Sequence, residues 1–119
     1  MAYQKVVLTA NNDYIACTAN YKTDIMDFII KGNFDSGMLV GIVAYTDKDG
    51  NIAFTDEAPF LAGDGTQVEL SAPQSFSISS ASLDKWYILK LIDSNGSASV
   101  EVMYNDLKVK TNNLTVETL

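Results

Sequence analysis

The stretch "AYTDKDGNIAFTDE", residues 44–57, admits two readings, and the choice between them sets the fold class. One is a calcium loop between two helices, and the other is the turn of a β-hairpin. An EF-hand loop needs acids or amides at positions 1, 3 and 5, glycine at 6 and a bidentate glutamate at 12. With Gly50 at the glycine position, Asp47 and Asp49 fall on two of the acidic positions and Ile52 on the apolar one. The first position is then Tyr45, which has no carboxylate, and the last is Asp56, whose side chain is one methylene too short. The flanks decide the matter. Ile42, Ala44 and Thr46 before the turn, and Ile52 and Phe54 after it, alternate with period 2, the period of a strand. The stretch therefore reads as strand, Asp-Lys-Asp-Gly turn, strand, with Gly50 supplying a positive φ and aspartate bonding its own turn. Asp47, Asp49 and Asp56 are left as weak candidates for a cation held outside the EF-hand pattern.

The same grammar runs through the chain. Short β-branched and aromatic segments at 4–9, 14–21, 25–31, 38–46, 51–55, 66–71, 74–79, 86–93, 98–104 and 107–117 are separated by Gly, Asn, Asp and Ser. The last breaks at Asn112-Asn113. Residues 80–86, "SASLDKW", are the single expected helical turn, with Ser82 as its cap. Residues 88–104, "ILKLIDSNGSASVEVMY", repeat the apolar strand, Asx-rich turn, apolar strand pattern, which predicts a second hairpin on Asp93-Ser94-Asn95-Gly96. Many short strands with turn signals at regular intervals predict one all-β domain, an antiparallel two-sheet β-sandwich over residues 1–119.

Residues 83–104, "LDKWYILKLIDSNGSASVEVMY", resemble the last hairpin of immunoglobulin-like sandwich modules found in bacterial surface and phage virion proteins. Those hairpins read Y-x-L-x-V-x-D-x-x-G followed by a V-x-V strand. Tyr87, Leu89, Leu91, Asp93, Gly96, Val100 and Val102 stand in those places, and Asp84 with Tyr87 resembles the tyrosine corner of such domains. The chain departs from the pattern in lacking a cysteine pair and in placing Trp86 beside the tyrosine. The resemblance implies an Ig-like strand order as the first expectation, with a jelly-roll as the second, and implies no activity.

Composition narrows the chemistry. Of 119 residues, none is histidine, and all eight basic residues are lysine. Without histidine the usual general base, metal ligand and near-neutral switch is missing. Without arginine the fork that grips phosphate or guanine is missing. A net charge of −7 repels nucleic acid, so no nucleic-acid partner is expected. Cys17 is the one cysteine, on a face with Ile15 and Ala19, and reads as a buried thiol with no histidine to activate it. Fifteen acids make carboxylate pairs by chance, so a glycosidase is not favoured. "GDG" at 63–65 lacks the lysine and following helix of a phosphate loop. No apolar run has the length of a membrane span, and the first residues have no signal-peptide core. The expectation is cytoplasmic synthesis without export, no membrane partner and no cofactor.

Two segments, 38–46 and 86–92, are apolar on both faces, more than a lone soluble sandwich needs. This predicts association through 25–45, with Phe28, Ile30, Met38, Val40, Ile42 and Trp86 as interface candidates. The expected function is non-enzymatic: a small bacteriophage virion component, such as a capsid decoration, auxiliary or tail protein, that assembles with itself or with another virion protein. The alternative is a carbohydrate-binding module whose sugar platform draws on Trp86, Tyr3, Tyr14, Tyr45 and Tyr104.

Overall fold

A computed structural model describes residues 3–20, 25–49, 51–59, 67–78 and 85–119, with the side chains of 53–59 outside the described part. Eleven strands appear: β1 (Gln4–Leu8), β2 (Tyr14–Ala19), β3 (Met26–Asn33), β4 (Met38–Thr46), β5 (Ile52–Pro59), β6 (Glu69–Leu70), β7 (Gln74–Ile78), β8 (Lys85–Ile92), β9 (Ser99–Tyr104), β10 (Leu107–Thr111) and β11 (Glu117–Thr118). No helix occurs among the described residues. The helical turn expected at 80–86 falls mostly outside them, and its last residue, Trp86, lies in β8.

The chain is an antiparallel two-sheet β-sandwich. The smaller sheet runs β11-β1-β9-β3-β7, and the larger runs β10-β2-β8-β4-β5, with β6 also on β4. β5 lies along the second half of β4 and β6 along the first, at Leu39 and Val40. The pairings are nested. β4 pairs with β5 and β6, β3 with β7, β2 with β8, and β1 with β9. Successive pairs alternate between the sheets, so the centre of the nest is the β4–β5 hairpin. Its turn is the Asp47–Gly50 segment, closed by Asp47 N–H donating to the Asn51 carbonyl.

The second hairpin does not form. β8 has both edges taken by β2 and β4, and β9 has both taken by β1 and β3. Residues 93–98 therefore carry the chain from one sheet to the other. Asp93 and Gly96 hold positive φ values of 58° and 97°, which turn the chain without pairing the strands. An Ig-like order would pair the first strand with the second and the last two with each other. Here β1 and β2 lie in opposite sheets, as do β8 and β9.

Alternation along the strands builds the core. Val6 and Leu8, Ile15 and Cys17, Met26, Phe28 and Ile30, Leu39, Leu89 and Leu91, and Val100, Val102 and Tyr104 all point between the sheets. Each such aliphatic side chain contributes about 1.5–3 kcal/mol by leaving water. Phe28 stacks on Phe76 at 5.1 Å between centroids. Cys17 is fully enclosed, and burial pushes its thiol well above the ordinary cysteine range. Burial, with Cys17 nearby, raises the Tyr104 hydroxyl to about 12. Phe28 and Ile30, expected at an interface, are each only 1% exposed. That assignment is corrected: alternation turns both side chains inward and leaves Asp27 and Lys31 on the outside.

Gly32 sits at the end of β3 with φ +95°, opposite Val100, and an added Cβ would strike the Ser99 carbonyl. Gly96 has φ +97° but open space around it. Gly32→Ala should therefore lower the unfolding free energy by about 3 kcal/mol, against about 1 kcal/mol for Gly96→Ala. Urea denaturation of the two variants measures the difference, and equal losses would contradict the clash.

Candidate functional site

The residues proposed from sequence fall into three places. At the β4–β5 turn, Asp47 uses its Oδ1 to accept the backbone N–H groups of Asp49 at 2.9 Å and Asn51 at 2.8 Å. That is the closed Asx turn expected of the hairpin. The structure brings Asp47 and Asp49 together at an exposed corner. The side chain of Asp56 and all of Gly50 lie outside the described residues, as do Asp64 and the 63–65 segment. Among the described residues no three His, Cys, Asp or Glu side chains gather as a metal-ligand group.

The second place is the outer face of the larger sheet. Register puts Met38, Val40, Ile42 and Ala44 of β4 beside Ile92, Lys90, Ile88 and Trp86 of β8, and Ile88 beside Ala16 of β2. Ala16, Ala44, Trp86 and Ile88 form a second apolar cluster, separate from the main core, against which Tyr14, Ile42 and Ile52 pack. Met38, Val40 and Ile42 are half-buried. Trp86 is only 8% exposed, and the Lys110 ammonium stands 5.2 Å from its ring. That contact is a cation–π pair, worth about 0.5–1 kcal/mol. Three lysines, Lys90, Lys108 and Lys110, and one acid, Glu69, accompany the apolar row. The two-sided apolar reading of 38–46 and 86–92 thus has a structural counterpart, a sheet with apolar residues on both faces.

The aromatics considered for sugar stacking are dispersed. Tyr104 is in the core and Trp86 is buried, whereas Tyr3 and Tyr45 are exposed, one in front of β1 and the other on β4 of the opposite sheet. The Lys85 ammonium lies 5.9 Å from the Tyr45 ring.

The third place was not legible as a site. Asp13, between β1 and β2, is a buried acid. Its Oδ2 accepts the backbone N–H groups of Thr9 at 3.0 Å and Ala10 at 2.9 Å, and its Oδ1 accepts Asn112 Nδ2 at 2.8 Å. Asn112 in turn accepts the Tyr14 N–H through Oδ1. Nearby, Asn11 Oδ1 accepts the Ser94 N–H, and the Thr9 carbonyl accepts the Ser94 hydroxyl. These bonds tie the β1–β2, β8–β9 and β10–β11 connections together at one end of the sandwich. The only local signal is the run Asn11-Asn12-Asp13, which marks a turn and nothing more.

Burial works to raise the Asp13 carboxyl, but hydrogen bonds from Ala10, Asn112 and Thr9 outweigh it and hold the group below its ordinary value of 3.8. A depressed value means that the folded state prefers the ionised form. The stabilisation is complete above pH 3.8 and is lost as pH falls further, through the lower folded-state value. Asp13→Ala should cost about 2–3 kcal/mol at neutral pH by stranding these donors. The variant should also lose part of the acid sensitivity of wild type below pH 3.8, as read by thermal melts across a pH series. A variant as stable as wild type would remove Asp13 from this role. No protein-family model, curated protein or solved structure matches this chain.

Proposed function

We propose that the chain is a non-enzymatic structural subunit that assembles with copies of itself or with a capsid or tail partner in a bacteriophage particle. It is made in the host cytoplasm and serves as a decoration, auxiliary or tail component. The observation that carries this reading is the outer face of the larger sheet. An antiparallel sheet facing water on one side alternates apolar and polar residues. This one instead sets Met38, Val40, Ile42 and Ile92 around the Trp86–Ile88 cluster on the side away from the core. Apolar surface of that kind on a soluble domain marks a contact region.

The nested strand order supports the same reading. With β6, β10 and β11 set aside, β1-β9-β3-β7 faces β2-β8-β4-β5, the order of a long hairpin rolled into a jelly roll. Jelly rolls build viral capsid proteins and also lectins, so the likeness bears on architecture by analogy alone. The sugar-binding alternative gains no comparable support, because the aromatics named for it lie on separate surfaces or inside the protein.

Sedimentation velocity over a concentration series, with and without calcium, tests the proposal. The expected outcome is a discrete oligomer that calcium does not shift. Substituting Val40→Lys on the outer face should weaken it about tenfold or more. A monomer at every concentration that gains thermal stability in calcium would overturn the proposal in favour of a cation-dependent binding module at the Asp47–Asp49 corner.

A further inference from the structure

Five strands, β5, β6, β7, β10 and β11, have an edge that no other described strand takes. Such an edge presents unpaired N–H and C=O groups and templates further pairing unless it is guarded by charge, proline, a bulge or shortness. Four of the five are guarded. β5 contains Asp56 and Glu57, β6 is two residues long and carries Glu69, β10 exposes Lys108 and Lys110, and β11 is two residues long and carries Glu117. β7 is different. Its five residues, Gln74-Ser75-Phe76-Ser77-Ile78, include no charge and no proline, and Pro73 stands just ahead of the strand. Its pairing with β3 is regular from Met26–Ile78 to Ile30–Gln74, without a bulge. Gln74, Ser75 and Ser77 are exposed.

We infer that β7 is a docking edge for β7 of a second copy, joining two smaller sheets into one continuous antiparallel sheet about a two-fold axis. The inference rests on the assembly reading above and names one of its contacts. A second copy fits the edge for two reasons. An antiparallel pair of identical strands is self-complementary, as a two-fold interface requires. The chain carries −7, so copies repel unless the contact avoids acids, and β7 brings none. The nearest described acid is Asp27, one strand back on β3, where its carboxylate accepts the Ser77 hydroxyl. Across the two-fold the two Asp27 residues are three strand spacings apart, about 14 Å, which is beyond the screening length of about 10 Å at 0.1 M salt. Five paired residues bury less than a standard interface, so the contact is weak and concentration-dependent by itself.

Sedimentation equilibrium on wild type, Ser75→Lys/Ser77→Lys and Ser75→Glu tests the inference, with hydrogen exchange of residues 74–78 as a second measure that needs no substitution. The lysine pair should raise the dissociation constant about tenfold or more by setting like charges opposite one another, and an equimolar mixture with Ser75→Glu should recover association. In wild type, amide protection at 74–78 should rise with concentration. If the lysine variant associates as wild type does, or if protection at 74–78 ignores concentration, the edge assignment falls while the assembly reading stands. If wild type remains monomeric at every concentration, both fall.

Discussion

The turn at Asp47–Asn51 is the point about which the rest of the chain is paired. Once β5 and β6 return along β4, each earlier strand finds its partner among the later ones: β3 with β7, β2 with β8, β1 with β9. Laid flat, that ladder would expose both faces of strands rich in Val, Ile and Leu. Rolling it places successive pairs in opposite sheets and brings their inner faces together, which is the favourable outcome for apolar surface in water. The connections must then span sheets about 10 Å apart instead of reversing within one. The Asp13 cluster is a consequence of that demand. Three such connections meet at one end, and their backbone donors are satisfied by a single carboxylate, by Asn112 and by Asn11.

Strand positions were legible because period 2 is a local property. The segment 38–46 coincides with β4, and the expected break at Asn112-Asn113 separates β10 from β11. Pairing partners were not legible, because period 2 is silent on which sheet a strand joins. Asp47-x-Asp49-Gly50 and Asp93-x-Asn95-Gly96 have the same spacing and opposite uses. The first closes on itself through Asp47 Oδ1. The second is held by distant groups: Asn11 Oδ1 and the Thr9 carbonyl bind Ser94, and the Ser36 hydroxyl donates to the Asp93 carbonyl. The same limit hid Asp13, whose partner Asn112 lies 99 residues away. It also misled the reading of Phe28 and Ile30. Alternation separated them from Asp27 and Ile29, and only the opposing sheet determines that their face is the inner one.

The two outer faces differ in chemistry. On the smaller sheet Lys5 stands between Glu101 at 3.1 Å and Glu117 at 3.4 Å, with Asp27 and Lys31 further along. Those carboxylates, Glu101 first, raise the Lys5 ammonium above its ordinary value. Ion pairs at such an exposed face contribute little to stability, but they keep it wetted. The outer face of the larger sheet instead carries an apolar cluster with Lys90, Lys108 and Lys110 around it and Glu69 at its margin. In a chain with fifteen acids and eight lysines, that is a local reversal of the overall charge.

Charge then bears on how copies of such a chain meet. A body of −7 repels its own kind, so contacts are favoured where acids are sparse. Among the described residues, the outer face of the larger sheet and the β7 edge both meet that condition, and they act by different physics. Apolar contact across a face is strong for its area but tolerant of rotation, whereas strand pairing along an edge fixes direction and register through backbone hydrogen bonds. A two-fold edge contact used alone closes into a dimer and stops. A second, non-equivalent contact through the sheet face lets assembly continue beyond the pair, which a subunit of a larger shell or tube requires and a solitary binding module does not.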